Sequence, residues 1–275
     1  MSKRRAPARQ GTSFWRGPWP IIGSLLAIVL VIVAFVFLSR TQSPTATTGS
    51  RPIASGDLIA RLSGVTPATI DAVGTAGSPN PLKAASGAAL TGSNGKPEVL
   101  YIGAEWCPYC AAERWAMIVA LSHFGSFQGL VETTSSSSDV FPDTPTLSFA
   151  GATYTSIYLD FVPVELQDRN RQPLQTMTTQ QQQIAQALDP SNGIPFLDLA
   201  NKFTLVGQGV RPDPLQGLNW HQIANALSNP ASPVTIAVVA NADYLTGGLC
   251  MLPGAGAAPI CADPVIKAIT AQLGA

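Results

Sequence analysis

The chain has 275 residues, enough for one sizeable domain and additional segments. Apolar residues make up 46% of it, which permits a packed core, and charged residues only 12%, which is low for a soluble protein. The formal net charge is zero but uneven: Lys3, Arg4, Arg5, Arg9 and Arg16 cluster at the N-terminus, ahead of the first acidic residue, Asp57, and the chain after Arg16 has 11 basic residues against all 16 acidic ones. A mildly acidic body argues against a nucleic-acid binder, which would carry a basic stripe on the domain itself.

Residues 1–20 read as a basic cytoplasmic tail. Ile21 to Leu38 is a run of 18 uncharged residues, with only Gly23 and Ser24 as small or polar breaks. As a helix it spans roughly 27 Å at about 1.5 Å per residue, near the roughly 30 Å of a hydrocarbon core. Pro20 suits the first turn of such a helix, and Trp15 and Trp19 suit the membrane interface. The alternative, a cleaved signal peptide, has a shorter apolar region and a small-x-small site, which Ser39-Arg40-Thr41-Gln42 does not resemble. Five basic residues precede the span, and only Arg40 and Arg51 follow soon after. This bias keeps the N-terminus cytoplasmic and the rest outside, on the cell-wall or periplasmic side in a bacterial cell, where disulfides persist.

Residues 39–56, rich in Ser, Thr, Pro and Gly, read as a flexible tether, and residues 57–275 as the extracytoplasmic domain with its core from about Lys96. Asp57 to Val73 carries a weak helical pattern, with Thr66-Pro67 opening a second short helix at Ala68. Gly74 to Pro97 reads as loop. Glu98 to Gly103 lacks polar alternation, as expected of a strand covered on both faces. Ala111 to Phe124 reads as a helix, apolar nearly all round and therefore buried, with Gly125 as its stop. Val131 to Asp143, including Ser135-Ser136-Ser137-Ser138, reads as an exposed polar loop. Thr146 to Phe149 and Thr153 to Leu159 read as strands. Thr178 to Leu188 reads as a polar-faced helix ended by Asp189-Pro190. Gly193 to Leu199 reads as a turn, a proline and a short strand, with Lys202 to Gly207 as a hairpin partner. Trp220 to Leu227 is a helix capped by Asn219. Val234 to Val239 fits strand or helix equally on periodicity, and Ala242 to Cys250 and Pro264 to Leu273 read as helices around a Gly/Pro-rich loop.

Cys107-Pro108-Tyr109-Cys110 lies at the junction of the predicted strand and helix. Two thiols with two residues between them at such a junction mark a thiol–disulfide exchange site. A free thiol with a pKa near about 8.5 is mostly protonated at neutral pH, whereas attack requires the thiolate. Pro108 at the first helical position makes Cys107 the N-cap, where the helix terminus favours the thiolate. Cys110, about one turn inside, is placed to resolve a mixed disulfide on Cys107.

Ala104-Glu105-Trp106-Cys107-Pro108-Tyr109-Cys110 resembles the active-site segment of thioredoxins and glutaredoxins. The resemblance implies an α/β fold, a thioredoxin-like central mixed sheet flanked by helices, here with an insertion and preceded by one transmembrane helix. Ile194-Pro195 before an apolar strand resembles the family's cis-proline loop. The implied substrate groove is lined by Pro195, Ile194, Trp106, Pro108 and Tyr109. The wider pattern from Tyr101 to Trp115, with Leu121-Ser122-His123-Phe124-Gly125, is similar to the thioredoxin-like group called domain of unknown function 929, over a span from about residue 56 to the C-terminus. Two departures stand out. Cytoplasmic thioredoxins have a buried acid six residues before the first Cys, where this chain has Tyr101; Glu105 is nearby but is expected at the rim. The long gap from Cys110 to Pro195 implies a helical or hairpin insertion.

Cys250 and Cys261 read as a structural disulfide, with a second redox pair as the alternative, and four cysteines allow three pairings. Only one short-spaced Cys pair is present, against the two of a four-thiolate zinc site, so no metal is expected, and no cofactor is called for. His123 lies some 24 Å along the helix from Cys107 and reads as a helix-end residue, and His221 as a surface or packing residue. Glu113 and Arg114 read as surface or local ion-pair residues, and Tyr109 as partly exposed. The expected function is membrane-anchored thiol–disulfide exchange on protein thiols or disulfides, with a membrane redox partner as a further expectation. The alternative is a non-catalytic binding or assembly module whose Cys107–Cys110 pair is a structural or sensing disulfide.

Overall fold

Strand β2, Glu98–Gly103, is the axis of the fold. The structure, a computed structural model, describes residues 51–275. The basic tail, the Ile21–Leu38 span and most of the tether lie outside the described residues. Among the described residues no helix is long and apolar enough to cross a membrane.

The described chain opens with α1 (Gly56–Ser63) and α2 (Pro67–Val73), capped by Ser55 and Thr66. The two-residue strand β1 (Lys83–Ala84) and β2 follow, then α3 (Pro108–Ser122). Four short strands, β3 (Gly125–Gln128), β4 (Val131–Thr134), β5 (Pro145–Ser148) and β6 (Thr153–Ser156), precede β7 (Asp160–Glu165) and α4 (Thr179–Leu188). A hairpin, β8 (Phe196–Leu199) and β9 (Phe203–Val206), leads to α5 (Trp220–Ala226), α6 (Pro233–Cys250) and α7 (Pro264–Leu273).

The main sheet has the order β1-β9-β8-β2-β7. β2 runs parallel to β7, with Glu98 opposite Asp160, and antiparallel to β8, with Val99 opposite Leu199. The sheet is therefore mixed. β7 contains Pro163, tolerated because β7 is an edge strand that need not donate on its outer side. Val99 and Tyr101 of β2 face a large core shared with α1, α3 and α6, while Leu100 and Ile102 face a smaller one with Phe196 and Ala185 of α4. Helices thus cover both faces, which explains the unbroken apolar run in β2. The core also draws on Leu58, Leu62 and Ile70, well ahead of Lys96.

Between Cys110 and Pro195 the chain places two ribbons, β3–β6 and β4–β5, as well as β7 and α4. Two expectations are corrected here. Gly125 does not stop α3: His123 is its C-cap, and Gly125 opens β3, where Thr155 O would lie 2.4 Å from any added Cβ. Residues 131–143 are not an exposed loop throughout. Residues 131–134 form β4, and Ser135 and Ser136 are buried because their backbone N–H groups bond to Thr144 O and Trp106 O, both at 2.9 Å. The ambiguous segment Val234 to Val239 belongs to α6, one helix of 18 residues that continues through Ala242 to Cys250.

Candidate functional site

Pro108 starts α3 because its fixed φ and missing N–H suit the first helical position. Cys107 is thereby the N-cap, and its Sγ accepts the Cys110 N–H at 3.2 Å. The sulfur replaces the usual hydroxyl or carboxylate cap and sits at the positive end of a 15-residue helix. The Ile194–Pro195 peptide bond is cis, and the Cys107 Sγ lies 3.9 Å from the Ile194 carbonyl oxygen. The Pro195 carbonyl accepts the Gly207 N–H at 2.8 Å, which ties this corner to β9. Cys107 is 3% exposed and Cys110 not at all.

The two thiols differ in electrostatics. Hydrogen bonding with Cys110 lowers the pKa of Cys107, and the Arg114 charge adds to this against the cost of burial. Burial raises Cys110 well above an ordinary thiol, and its hydrogen bond with Cys107 raises it further. The pair therefore divides into an outer sulfur disposed to ionise and an inner one that keeps its proton.

Trp106 and Tyr109, both partly exposed, frame the outer sulfur in the sequence. The Trp106 indole N–H donates to Gln167 Oε1 at 2.9 Å, and the Arg171 guanidinium lies 3.7 Å from its ring centroid. Tyr109 meets Phe141 edge-on at 5.9 Å. Cys250 and Cys261 are joined by a disulfide between the end of α6 and the turn before α7, with Cα atoms 5.6 Å apart. His123 closes the far end of α3, and burial lowers its pKa. Among the described residues no group of three or more His, Cys, Asp or Glu side chains is placed to hold a metal.

Three charged residues differ from expectation. Glu105 is 1% exposed rather than at a rim, and it binds Arg51 and the Ser148 hydroxyl. Glu113 and Arg114 are fully buried, so neither is a surface residue, and the ion pair that Arg114 makes is not local but reaches Glu165, 51 positions away. Arg114 donates Nε and Nη2 to the two carboxylate oxygens of Glu165 on β7, both at 2.7 Å. Glu113 receives the Val210 N–H and the Asn241 amide. Burial pushes its pKa up to about 7 in spite of those hydrogen bonds. A charged pair inside an otherwise apolar helix was the available signal that this face meets another element, because an unpaired charge is rarely buried.

The corner is a dithiol site: an N-cap thiol, a buried second thiol one turn on, and a facing carbonyl before a proline. The family described as Domain of unknown function (DUF929) matches residues 84–193, a stretch that holds both cysteines and stops just before Ile194-Pro195. That is shorter than the span from about residue 56 to the C-terminus expected from the motifs. No curated protein and no solved structure matches the chain.

Proposed function

We propose that residues 57–275 form a thioredoxin-like domain, tethered outside the membrane by Ile21–Leu38, that exchanges disulfides with protein thiols. The observation that carries this reading is the division of labour between the two sulfurs: Cys107 at the helix N-cap with a lowered pKa, Cys110 buried with a raised one. A thiolate at Cys107 attacks one sulfur of a client disulfide, forms a mixed disulfide and releases the other client sulfur as a thiolate. Cys110 then gives up its proton and attacks Cys107 Sγ. The second client sulfur leaves as a thiolate, and the Cys110 proton passes to it. Two electrons move from the protein pair to the client, and the Cys107–Cys110 disulfide remains. Run backwards, the same steps oxidise a client dithiol. A membrane redox partner or a small thiol–disulfide couple restores the starting form in either direction.

The Ile194 carbonyl supports this reading from the client side. It is a backbone acceptor next to the outer sulfur, as an extended client segment requires. Pro108, Tyr109 and Trp106 form the rest of the proposed groove. The second reading, a binding module with a static pair, draws on the burial of both sulfurs. Dithiothreitol-driven reduction of insulin separates the two. Exchange predicts turnover that is lost in Cys107→Ser, with Cys110→Ser accumulating mixed disulfides. No turnover by the intact protein, in this assay or in refolding of reduced ribonuclease, supports the module.

A further inference from the structure

Among the described residues Arg114–Glu165 is the one ion pair with both side chains fully out of water; every other pair keeps at least one end more than a third exposed. Such a pair is a poor source of stability, because desolvating two charges offsets most of their attraction. Its position suggests another use. Arg114 follows Cys110 by four residues and Cys107 by seven on one continuous helix, which places all three on one face. Glu165 engages Nε and Nη2 only, and Nη1 is buried without a hydrogen-bond partner among the described residues. The guanidinium carbon lies 5.8 Å from the ring centroid of Tyr101, whose buried hydroxyl is also unpartnered.

We propose that Arg114 is a positioning cation for the thiol pair: held by Glu165 on the cysteine face of α3, it stabilises negative charge on Cys107 and, during resolution, on Cys110. The inference rests on the exchange reading and deepens it. In the reduced pair a thiolate formed at Cys107 is a negative charge beside Arg114; in the disulfide neither sulfur is charged. A nearby cation therefore favours the reduced form, and its loss makes the pair easier to oxidise. The ionisable groups facing Arg114 are Glu165 from β7, Tyr101 from β2 and the two cysteines of its own helix. Glu105 and Glu113 are engaged elsewhere, by Arg51 and Ser148 and by Asn241 and Val210. The Arg114 charge favours ionisation of both thiols, although other causes are larger at each.

The test is the pH dependence of iodoacetamide alkylation at Cys107 in the full-length reduced protein, read by peptide mass. Arg114→Met is expected to move the profile to higher pH, so that the rate at pH 6 falls about ten-fold, the factor that one pKa unit represents. Arg114→Lys is expected to recover most of the rate. The double variant Arg114→Met/Glu165→Gln strands no buried charge, carries the test if Arg114→Met alone fails to fold, and is expected to show slowing in the same direction. A wild-type profile in either folded variant overturns the proposal. The outcome is independent of turnover: a wild-type protein that alkylates readily at Cys107 but fails with insulin sinks the exchange reading and leaves the Arg114 effect measurable.

Discussion

The side-chain amide of Asn241 donates to both carboxylate oxygens of Glu113, at 2.9 and 2.8 Å, and so ties α6 to the helix that carries both cysteines. Burial nevertheless raises Glu113 to about 7, so it is largely ionised in the folded protein at pH 8 and protonated at pH 5. The amide serves the ionised form. Asn241→Ala should therefore cost about 1–3 kcal/mol at pH 8, the range for leaving a buried group unsatisfied, and less at pH 5. Urea midpoints at the two pH values check this, and equal losses at both contradict it.

Glu113 is one of three buried carboxyls with the same tendency. Burial raises Asp243 to about 8, with the Asp263 charge adding to the effect, and raises Asp198 to about 6. In each case the folded protein holds a proton that the unfolded chain has already released. Their contribution is fully present below about pH 4 and is lost as pH rises through 6, 7 and 8. The melting temperature should therefore fall from pH 5 to pH 8. Asp243→Asn should raise it at pH 8 and leave it nearly unchanged at pH 5, since a neutral amide replaces the form the fold already prefers. A profile that rises over this window rejects the assignment.

The buried ion pair makes a separate prediction about folding. Arg114→Ala leaves the buried Glu165 without its cation, with only the Phe149 N–H still donating to its carboxylate, and should cost about 3–5 kcal/mol in chemical denaturation. Replacing both, as Arg114→Met/Glu165→Leu, should cost clearly less, because no charge is left unpaired. If the double replacement is as harmful as the single one, packing rather than charge governs this site.

The Cys250–Cys261 disulfide closes a loop of ten intervening residues. Replacing both cysteines by serine should lower stability by roughly 3 kcal/mol in the chain-entropy account. Insulin reduction per folded molecule should be unchanged. Loss of turnover with intact folding would instead favour the relay role of a second redox pair.

Local chemistry explains which features could be read in the sequence. β2, α3 and the β8–β9 hairpin were legible because each is a largely apolar stretch, and two of them have a clear boundary residue: Pro108 for α3 and Pro195 for β8. The capping of α5 by Asn219 was legible from the residue type, whereas Thr178, read as the first residue of α4, is its N-cap; both close a capping box with a glutamine three residues on. β7 was missed: Pro163 interrupts its pattern, and only the knowledge that it lies at a sheet edge makes a proline there acceptable. Ser135 and Ser136 appeared solvent-exposed because a run of serines is polar, yet their burial depends on long-range backbone bonds. The cysteines of the site were plain from their spacing. Arg114, Glu165, Glu113 and Asn241 were not, because their partners lie 51 and 128 positions apart in the chain.

The most direct test of the central claim is a redox titration of Cys107–Cys110 in the full-length protein, followed by mass shift of alkylated peptides in glutathione and dithiothreitol buffers. The account predicts a reversible two-electron transition between about −270 and −120 mV, the range of working exchange proteins, accompanied by insulin turnover. A pair that stays oxidised to below about −300 mV, with no turnover, is a structural disulfide and contradicts it.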